Sequence, residues 1–360
     1  MPEFAPVGAT GDAEPISITP AELEAWACDT LERSGASAEA AAVTAQVLVD
    51  ANRRGLDSHG VVFLTAYLAR LRVGSTRGDV HPQIVVDLPG LTVVDGRDAL
   101  GPYVASFAMQ RCCSKAEESG ASVALVRNSS HFGAASCYSE QAARTGCIGL
   151  AFSNSDPGMA PLGGLGPLLG TNPLAIAAPS GRDGTMPSLD IATSVVAQGK
   201  IVLAELAGQP IPDGWAIGPD GAPTTDPAEA LSGAVLPMAG HKGFGLGFMI
   251  DVLTACVTGM RASPDVVGDP ESVTPQGVSH CFIAIHVASA GSSEAYEDSL
   301  SHLIERVHDA SRAEWAEMFL APGEPEARSA LDRRELIPLS PTAVSLLRDV
   351  GRTSGLPFPL

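Results

Sequence analysis

Positive charge is scarce in this chain. Its 360 residues hold 22 Lys and Arg against 41 Asp and Glu, a formal net charge of −19, and only Lys115, Lys200 and Lys242 are lysines. Nucleic acid and anionic membrane are bound by basic surfaces, so neither is an expected partner. No apolar run reaches the roughly 18 residues that a membrane span requires. Residues 1–17 lack both basic residues and an apolar core, which argues against a signal peptide and for a short disordered leader. There is no CxxC pair, and the cysteines number seven, an odd count: Cys28, Cys112, Cys113, Cys137, Cys147, Cys256 and Cys281. Reduced thiols in a cytoplasmic protein fit that pattern, and no structural zinc is expected. HxH and HExxH spacings are absent as well, so no metal is expected. No internal repeat, P-loop or Rossmann glycine fingerprint occurs.

What is present is apolar mass. At 45% hydrophobic and 18% charged residues, the chain can bury a substantial core, and its length suits two lobes. Thr19-Pro20-Ala21-Glu22 has the form of a capping box with Pro at the first helical position. The helix it opens carries Leu23, Trp26, Ala27 and Leu31 on one face and stops at Gly35. A second helix opens at Ser37 and runs to Gly55. A third starts near Ser58, with Leu64, Tyr67, Leu68 and Leu71 at helical spacing, and ends by Gly74. After His81 the character changes. Residues 84–88 and 91–95 read as a hairpin around Pro89-Gly90. Helices at 102–119 and 133–145 alternate with strands at 121–126 and 148–152, the rhythm of a layered α/β core. Residues 153–240 are dense in Gly and Pro, with short strands such as 174–178, and read as a site built on loops. Helices at 243–258, 295–320 and 340–350, with a strand at 281–287, complete the reading.

Two histidines stand in polar, glycine-edged turns. Ser58-His59 lies where the third helix is expected to begin. A Ser58 N-cap would by itself explain the serine. His59 would then sit in the first turn, where the helix dipole favours neutral imidazole and suits acid–base work near pH 7. His131 follows a strand and precedes Gly133, which is expected to open a helix. A strand end of that kind is where α/β proteins place ligand contacts, although a histidine closing a turn is the plainer account. Asp190 sits in an apolar segment and needs a partner if buried; it could orient a catalytic histidine, or cap a helix from about residue 194. His241-Lys242-Gly243 puts a rare lysine and free amides before a helix, an arrangement suited to phosphate or carboxylate.

Taken together, these motifs resemble the malate/L-lactate dehydrogenase family, which also holds sulfolactate and ureidoglycolate dehydrogenases and cyclic-imine reductases. The resemblance rests on Arg-Gly-Leu-Asp-Ser-His-Gly at 54–60, Asn-Ser-Ser-His-Phe-Gly at 128–133, Ser-Asn-Ser at 153–155 and Gly-Thr-Asn-Pro at 170–173. Leu-Asp-Ile-Ala-Thr-Ser at 189–194, Lys-Gly-Phe-Gly-Leu at 242–246 and Pro-Gly-Glu at 322–324 complete the set. All seven occur in the family's order across about residues 18–350. The resemblance implies an α/β fold: a layered mixed-sheet cofactor domain of non-Rossmann type over 79–294, and a helical lobe from 18–78 plus 295–360. It also implies a homodimer using NAD(P)H, with hydride passing between the nicotinamide and a carbonyl or imine carbon. Ser58, His59 and Asp190 are implied as a proton relay, with His131 the alternative acid–base residue. Cofactor contacts are implied at His131, Ser153, Ser155, Leu189, Asp190, Ile191, His241, Lys242, Gly323 and Glu324.

In one place the sequence departs from the family. Members usually carry Arg four residues after the first histidine, where it pairs with the substrate carboxylate; here the residue is Phe63. An i, i+4 relation on a helix would point Phe63 into the same site as His59. Losing a bidentate guanidinium removes the natural anchor for a 2-oxo acid, and a phenyl ring offers a face to an apolar substrate part. The expected substrate is therefore not a simple 2-hydroxy acid, unless another arginine such as Arg54 takes over, with Thr171 and Asn172 as further substrate contacts. A malate- or lactate-like dehydrogenase is the alternative. A nucleotide-binding relative without catalysis and a metal-dependent lyase or hydrolase are the competing classes.

Overall fold

Thr19 does open the first helix. In the computed structural model, which describes residues 16–314 and 318–360, its hydroxyl accepts the Glu22 amide at 3.2 Å, and Glu22 returns a bond to the Thr19 amide. Helix α1 spans Pro20–Arg33 and α2 spans Ala38–Arg53, capped by Ser37. Residues 1–15 of the expected leader lie outside the described residues. Its last two do not fit a leader: strand β1, Ile16–Ile18, pairs antiparallel with β12, Ile337–Leu339. That pairing brings α12, Pro341–Ser354, against α1 and α3, Leu64–Val73. One apolar core joins Leu23, Trp26, Leu31 and Leu48 to Ile337, Leu339 and Leu347.

The third helix starts later than its spacing predicts. Asp57–His59 and Val61–Phe63 are two 3₁₀ turns, and α3 begins at Leu64. Gly60 is the cause. Its extended backbone (φ −86°, ψ −154°) breaks the helix, and a Cβ there would lie 2.2 Å from the Asn52 side chain. Asn52 holds the break from α2, accepting the Val61 amide at 2.9 Å and donating to Asp57 at 2.8 Å. Ser58 is thus no N-cap, and His59 stands outside the first turn of an α-helix.

A seven-stranded mixed sheet forms the second body, in the order β2-β3-β4-β11-β5-β6-β7. The hairpin strands are β2, Gln83–Leu88, and β3, Leu91–Asp95; β4 is Ala121–Ser129 and β5 Cys147–Ser153. The remaining strands are β6, Leu174–Ala177, β7, Ser188–Ile191, and β11, Val278–His286. Only β3 and β4 run parallel. Helices α4, Gly101–Ser119, and α5, Ser136–Ala143, bury Met109, Cys112, Tyr138 and Ala142 with Val126, Ala151 and Phe282 of the sheet. No helix of the described residues is long and apolar enough to cross a membrane.

Residues 153–240 are more ordered than a loop region. Here α6, Gln198–Leu206, and α7, Pro227–Ser232, pack with a small sheet of β8, Ala216–Ile217, β9, Pro223–Thr224, and β10, Ala234–Val235. Met159, Ile201, Trp215 and Val235 form their own core. Helix α8, His241–Asp251, continues through a π turn at Val252–Cys256. A short α9, Val287–Ala290, precedes α10, Ser293–His308. The expected helix to 320 ends there because residues 309–314 are all exposed, with no apolar face to continue it. Helix α10 is tied to residues 179–182 through Tyr296 and Ser301. Helix α11, Glu324–Asp332, lies against α2.

Candidate active site

The ends of β4, β5 and β7 open onto a cavity of about 420 Å³. The turn carrying Ser58 and His59 closes one side of it. The segment from Ile191 to Lys200, with Trp215 and Met238, closes the other. Its titratable wall residues are His59, His131, Asp190 and Lys200.

His59 bonds through Nδ1 to the Ser58 hydroxyl at 3.0 Å. Burial pushes its imidazole below the usual range, the Asp190 charge pulls it back up, and the Lys200 ammonium lowers it further. The helix dipole expected from the sequence plays no part, since no α-helix starts there. His131 is held more firmly. Its Nδ1 receives the Gly133 amide at 3.3 Å and meets the Tyr67 hydroxyl at 2.9 Å, and its own amide donates to Gln276 Oε1 at 2.9 Å. An amide can only donate, so Nδ1 is an acceptor and the ring's proton resides on Nε2. Burial, and then the neighbouring His59, His280 and Arg70, depress its pKa to about 3. His131 is a neutral imidazole at physiological pH.

Phe63 does not face the cavity in the way its spacing predicts. The two 3₁₀ turns re-aim it, and its ring lies flat on His131, centroids 4.4 Å apart at 5°, and 5.8 Å from His59. It backs the two histidines, whose rings are 6.1 Å apart, and is not a wall residue. Arg54 cannot stand in for the missing arginine. It is buried, its Nη2 is 2.5 Å from Glu140 Oε1, and its Nη1 donates to Ser136 Oγ at 3.0 Å.

Asp190 lies in the wall, and its Oδ2 accepts the Ser136 amide at 2.8 Å. It therefore serves the start of α5; α6 begins only at Gln198, and α5 itself begins at Ser136, three residues beyond Gly133. Ser153 and Ser155 are in the wall, but the Ser153 hydroxyl is taken by His280 at 2.9 Å and the Asn154 carbonyl at 2.8 Å. Thr171 is in the wall too. Asn172 is fully buried, and its amide is consumed by the Ser155 amide, Ser263, Gly247 and Asp251, so it builds the site without facing a ligand. Ile191 reaches the cavity and Leu189 does not. His241 and Lys242 are exposed at the start of α8, outside the cavity. Gly323 packs on Ser188, and Glu324 accepts the Ala321 amide and meets His308 at 2.9 Å; both also lie outside it.

The sequence reading missed the α6 wall: Val195, Val196, Lys200, Trp215, Met238 and, from β11's approach, Gln276. The rarity of lysine could have flagged Lys200.

Comparison with known proteins fixes the family. Residues 18–348 match the malate/L-lactate dehydrogenase family. The chain is 40% identical over 271 residues to the (2R)-3-sulfolactate dehydrogenase (NADP(+)) of Chromohalobacter salexigens, covering 74% of this chain and 80% of that one. It is 33% identical to the Delta(1)-pyrroline-2-carboxylate reductase of Ancylobacter novellus, covering 96% and 95%. Among solved structures it resembles the sulfolactate dehydrogenase from Methanocaldococcus jannaschii, with a TM-score of 0.86, 35% identity, and coverage of 95% and 98%. The chain belongs to the malate/L-lactate dehydrogenase family.

Proposed function

We propose that this family member is an NAD(P)H-dependent oxidoreductase that reduces a ketone or cyclic imine, or oxidises the corresponding alcohol or amine, and acts as a homodimer. The observation that carries the reading is the pair His59 and His131 in one cavity, with Phe63 stacked behind them where the family carries arginine. The walls fit a nicotinamide ring and its substrate: mostly apolar, with small residues at Gly133, Ala134, Ala135 and Ala192 that let a flat ring approach. His131, Ser155 and Ile191 are the wall residues that would hold it; Ser153 and Asp190 are also in the wall but are engaged by His280, Asn154 and Ser136, while Leu189, His241, Lys242, Gly323 and Glu324 lie outside the cavity. When bound, the cofactor supplies the hydride.

This chain supplies the proton. His59 donates to the oxygen or nitrogen as the carbon is reduced, and Asp190 favours the charged imidazolium that such a donor must be. His131, kept neutral with its Nε2–H free of Nδ1's partners, donates a hydrogen bond to the same polar atom or to the nicotinamide carboxamide. Ser58 orients His59. Oxidation runs the same path in reverse. A small 2-hydroxy acid is the second reading, favoured by the sulfolactate dehydrogenases among the relatives. An exposed apolar stripe of Phe248, Met249, Leu253 and Val257 supports the homodimer.

The test is a fluorescence titration with NADPH and, in parallel, NADH, followed by a panel of ketones, cyclic imines and 2-oxo acids with the cofactor that binds. Binding of one nucleotide and turnover of a ketone or imine are expected. Binding of neither by folded protein overturns the reading. Turnover of malate or lactate at millimolar or lower KM selects the 2-hydroxy acid instead.

A further inference from the structure

Gln276 is a side chain of the cavity wall whose hydrogen-bonding capacity is only half used. It is 6% exposed and lines the cavity. Its Oε1 accepts the His131 amide at 2.9 Å. A backbone amide can only donate, so the oxygen end of the carboxamide is fixed on that bond, and Nε2 takes the other side of the same planar group. Among the described residues no acceptor engages Nε2. The nitrogen is not sealed in the interior either, so its two protons open onto the cavity. Asn154, the other carboxamide of the wall, differs: its Nδ2 donates to the Arg261 carbonyl at 3.0 Å and its Oδ1 accepts the Ser279 amide at 2.8 Å. Backbone contacts hold Gln276 in place. Its carbonyl accepts the Val267 amide at 3.1 Å, and Arg70 of α3 donates to the Val267 and Gly268 carbonyls. Gly277 then turns the chain in the left-handed region (φ +75°), ahead of the register shift in β11. A donor fixed before any ligand arrives, and left without a protein partner at nine-tenths burial, calls for an acceptor from outside the chain.

We propose that Gln276 Nε2 donates to the substrate oxygen at the carbon that is reduced, and that it thereby selects a carbonyl over a protonated imine. The proposal rests on the hydride-transfer reading above and deepens it. As the carbon accepts hydride, a C–H bond forms and the π pair of the C=O bond moves to oxygen, where the proton from His59 closes the new O–H bond. Negative charge grows on that oxygen as the proton arrives, and a bond from a fixed N–H strengthens with it. His131 is tied to the same carboxamide through its backbone, so one framework sets both donors. A protonated cyclic imine has the opposite demand. Its nitrogen carries an N–H, which meets a donor with a donor and leaves Nε2 buried and unpaired. A site built to hydrogen-bond one polarity discriminates against the other more sharply than a pocket of matching size does.

Two variants separate the free donor from the bond that supports it. Gln276→Glu keeps an oxygen for the His131 amide and puts an acceptor where the donor was; Gln276→Met removes the donor without adding charge. The first arm of the experiment needs no cofactor. N,N-dimethylformamide, which has a carbonyl oxygen and no donor, is titrated into nucleotide-free protein and followed by tryptophan fluorescence, since Trp215 is in the wall. Wild type should bind it, and both variants should bind it about 5- to 10-fold more weakly. The second arm compares turnover of pyruvate and 1-pyrroline-2-carboxylate, which share an acid group and differ in the group reduced, using whichever of NADPH or NADH binds. Wild type should favour pyruvate. Both variants should lose about 10²-fold in kcat for pyruvate, keep most of their turnover of the cyclic imine and keep nucleotide affinity. Equal dimethylformamide affinity in wild type and variants, or no binding by wild type, overturns the proposal. So do equal losses on the two substrates, which a merely structural role would give, and a wild type that prefers the cyclic imine. A loss confined to nucleotide affinity overturns it too, by giving Nε2 to the nicotinamide carboxamide. If neither nucleotide binds, the hydride-transfer reading fails on its own, and the dimethylformamide arm still decides whether Gln276 offers a donor.

Discussion

The wall formed by the ends of β4, β5 and β7 is committed to itself. His131 is bonded through Nδ1 and its backbone, the Ser153 hydroxyl is spent on His280 and Asn154, and Asp190 holds the first amide of α5. The wall formed by the start of α6 and the segment before it is less committed: Lys200 and Val195 are exposed and among the described residues no acceptor engages the Lys200 ammonium, although the Ser194 hydroxyl is spent on the Val196 carbonyl at 2.7 Å. A group that must present one proton at one angle gains from being fixed, because its geometry is then set before the reaction starts. A group that must recognise an incoming anion gains from having no internal partner to exchange. On the function proposed above, the committed wall would serve the chemistry and the more open wall the substrate.

The strongest way to break that division is at the histidines. His59→Gln should lower kcat roughly 10²- to 10⁴-fold with little change in thermal stability, and His131→Gln roughly 10²-fold. Near-normal turnover of the true substrate by both variants would show that neither is an acid–base residue. The two cations sharpen the contrast in another currency. Arg54→Met leaves Glu140 buried with its main partner gone and should cost about 3–5 kcal/mol in denaturant unfolding. Lys200→Met should stay within about 0.5 kcal/mol of wild type; similar losses in both would erase the distinction between the walls. A smaller effect is expected at Phe63. Phe63→Arg restores the family's guanidinium and should improve kcat/KM for malate or lactate by about 10-fold, whereas no gain would mean the backing position cannot reach the substrate.

The last prediction concerns pH. His131 and His280 are both depressed to about 3 by burial, and an unfolded histidine titrates near 6.5. Between those values the unfolded chain binds more protons than the folded one. Their contribution to stability is therefore complete above about pH 6.5 and is lost progressively as pH falls toward 3. Unfolding midpoints measured from pH 7 to 4 should decline, and His280→Asn should flatten the decline if the variant folds. A flat wild-type profile would contradict the neutral, buried state of both rings.

The caps at Thr19 and Ser37, the hairpin at Pro89-Gly90 and the strand–helix alternation from 102 to 152 were legible because each is set by neighbours in sequence. The meeting of Ser58, His59, His131 and Asp190 was legible only through the family's motifs, since nothing local brings residues 131 and 190 together. The fate of Arg54 was illegible: it depends on Glu140, more than eighty residues away, and a motif does not show whether its arginine is free or buried. Phe63 was misdirected for a similar reason. An i, i+4 argument assumes a helix, and Asn52 had already broken it at Gly60. The α6 wall left almost no trace, because a cavity lined by Val195, Trp215 and Met238 looks in sequence like any apolar packing.

The pairing of Ile16–Ile18 with Ile337–Leu339 carries a consequence for the life of the protein on the ribosome. The turn bearing Ser58 and His59 belongs to a lobe whose apolar face is completed by Leu339, Val344 and Leu347, residues made after every strand of the seven-stranded sheet. Until they emerge that face is incomplete, while the sheet carrying His131 can form once β11 has emerged. The lobe holding Ser58 and His59 is therefore completed later in synthesis than the sheet holding His131. The emerging chain spends that interval as a client for whatever shields apolar surfaces, with its two histidines not yet in the same cavity.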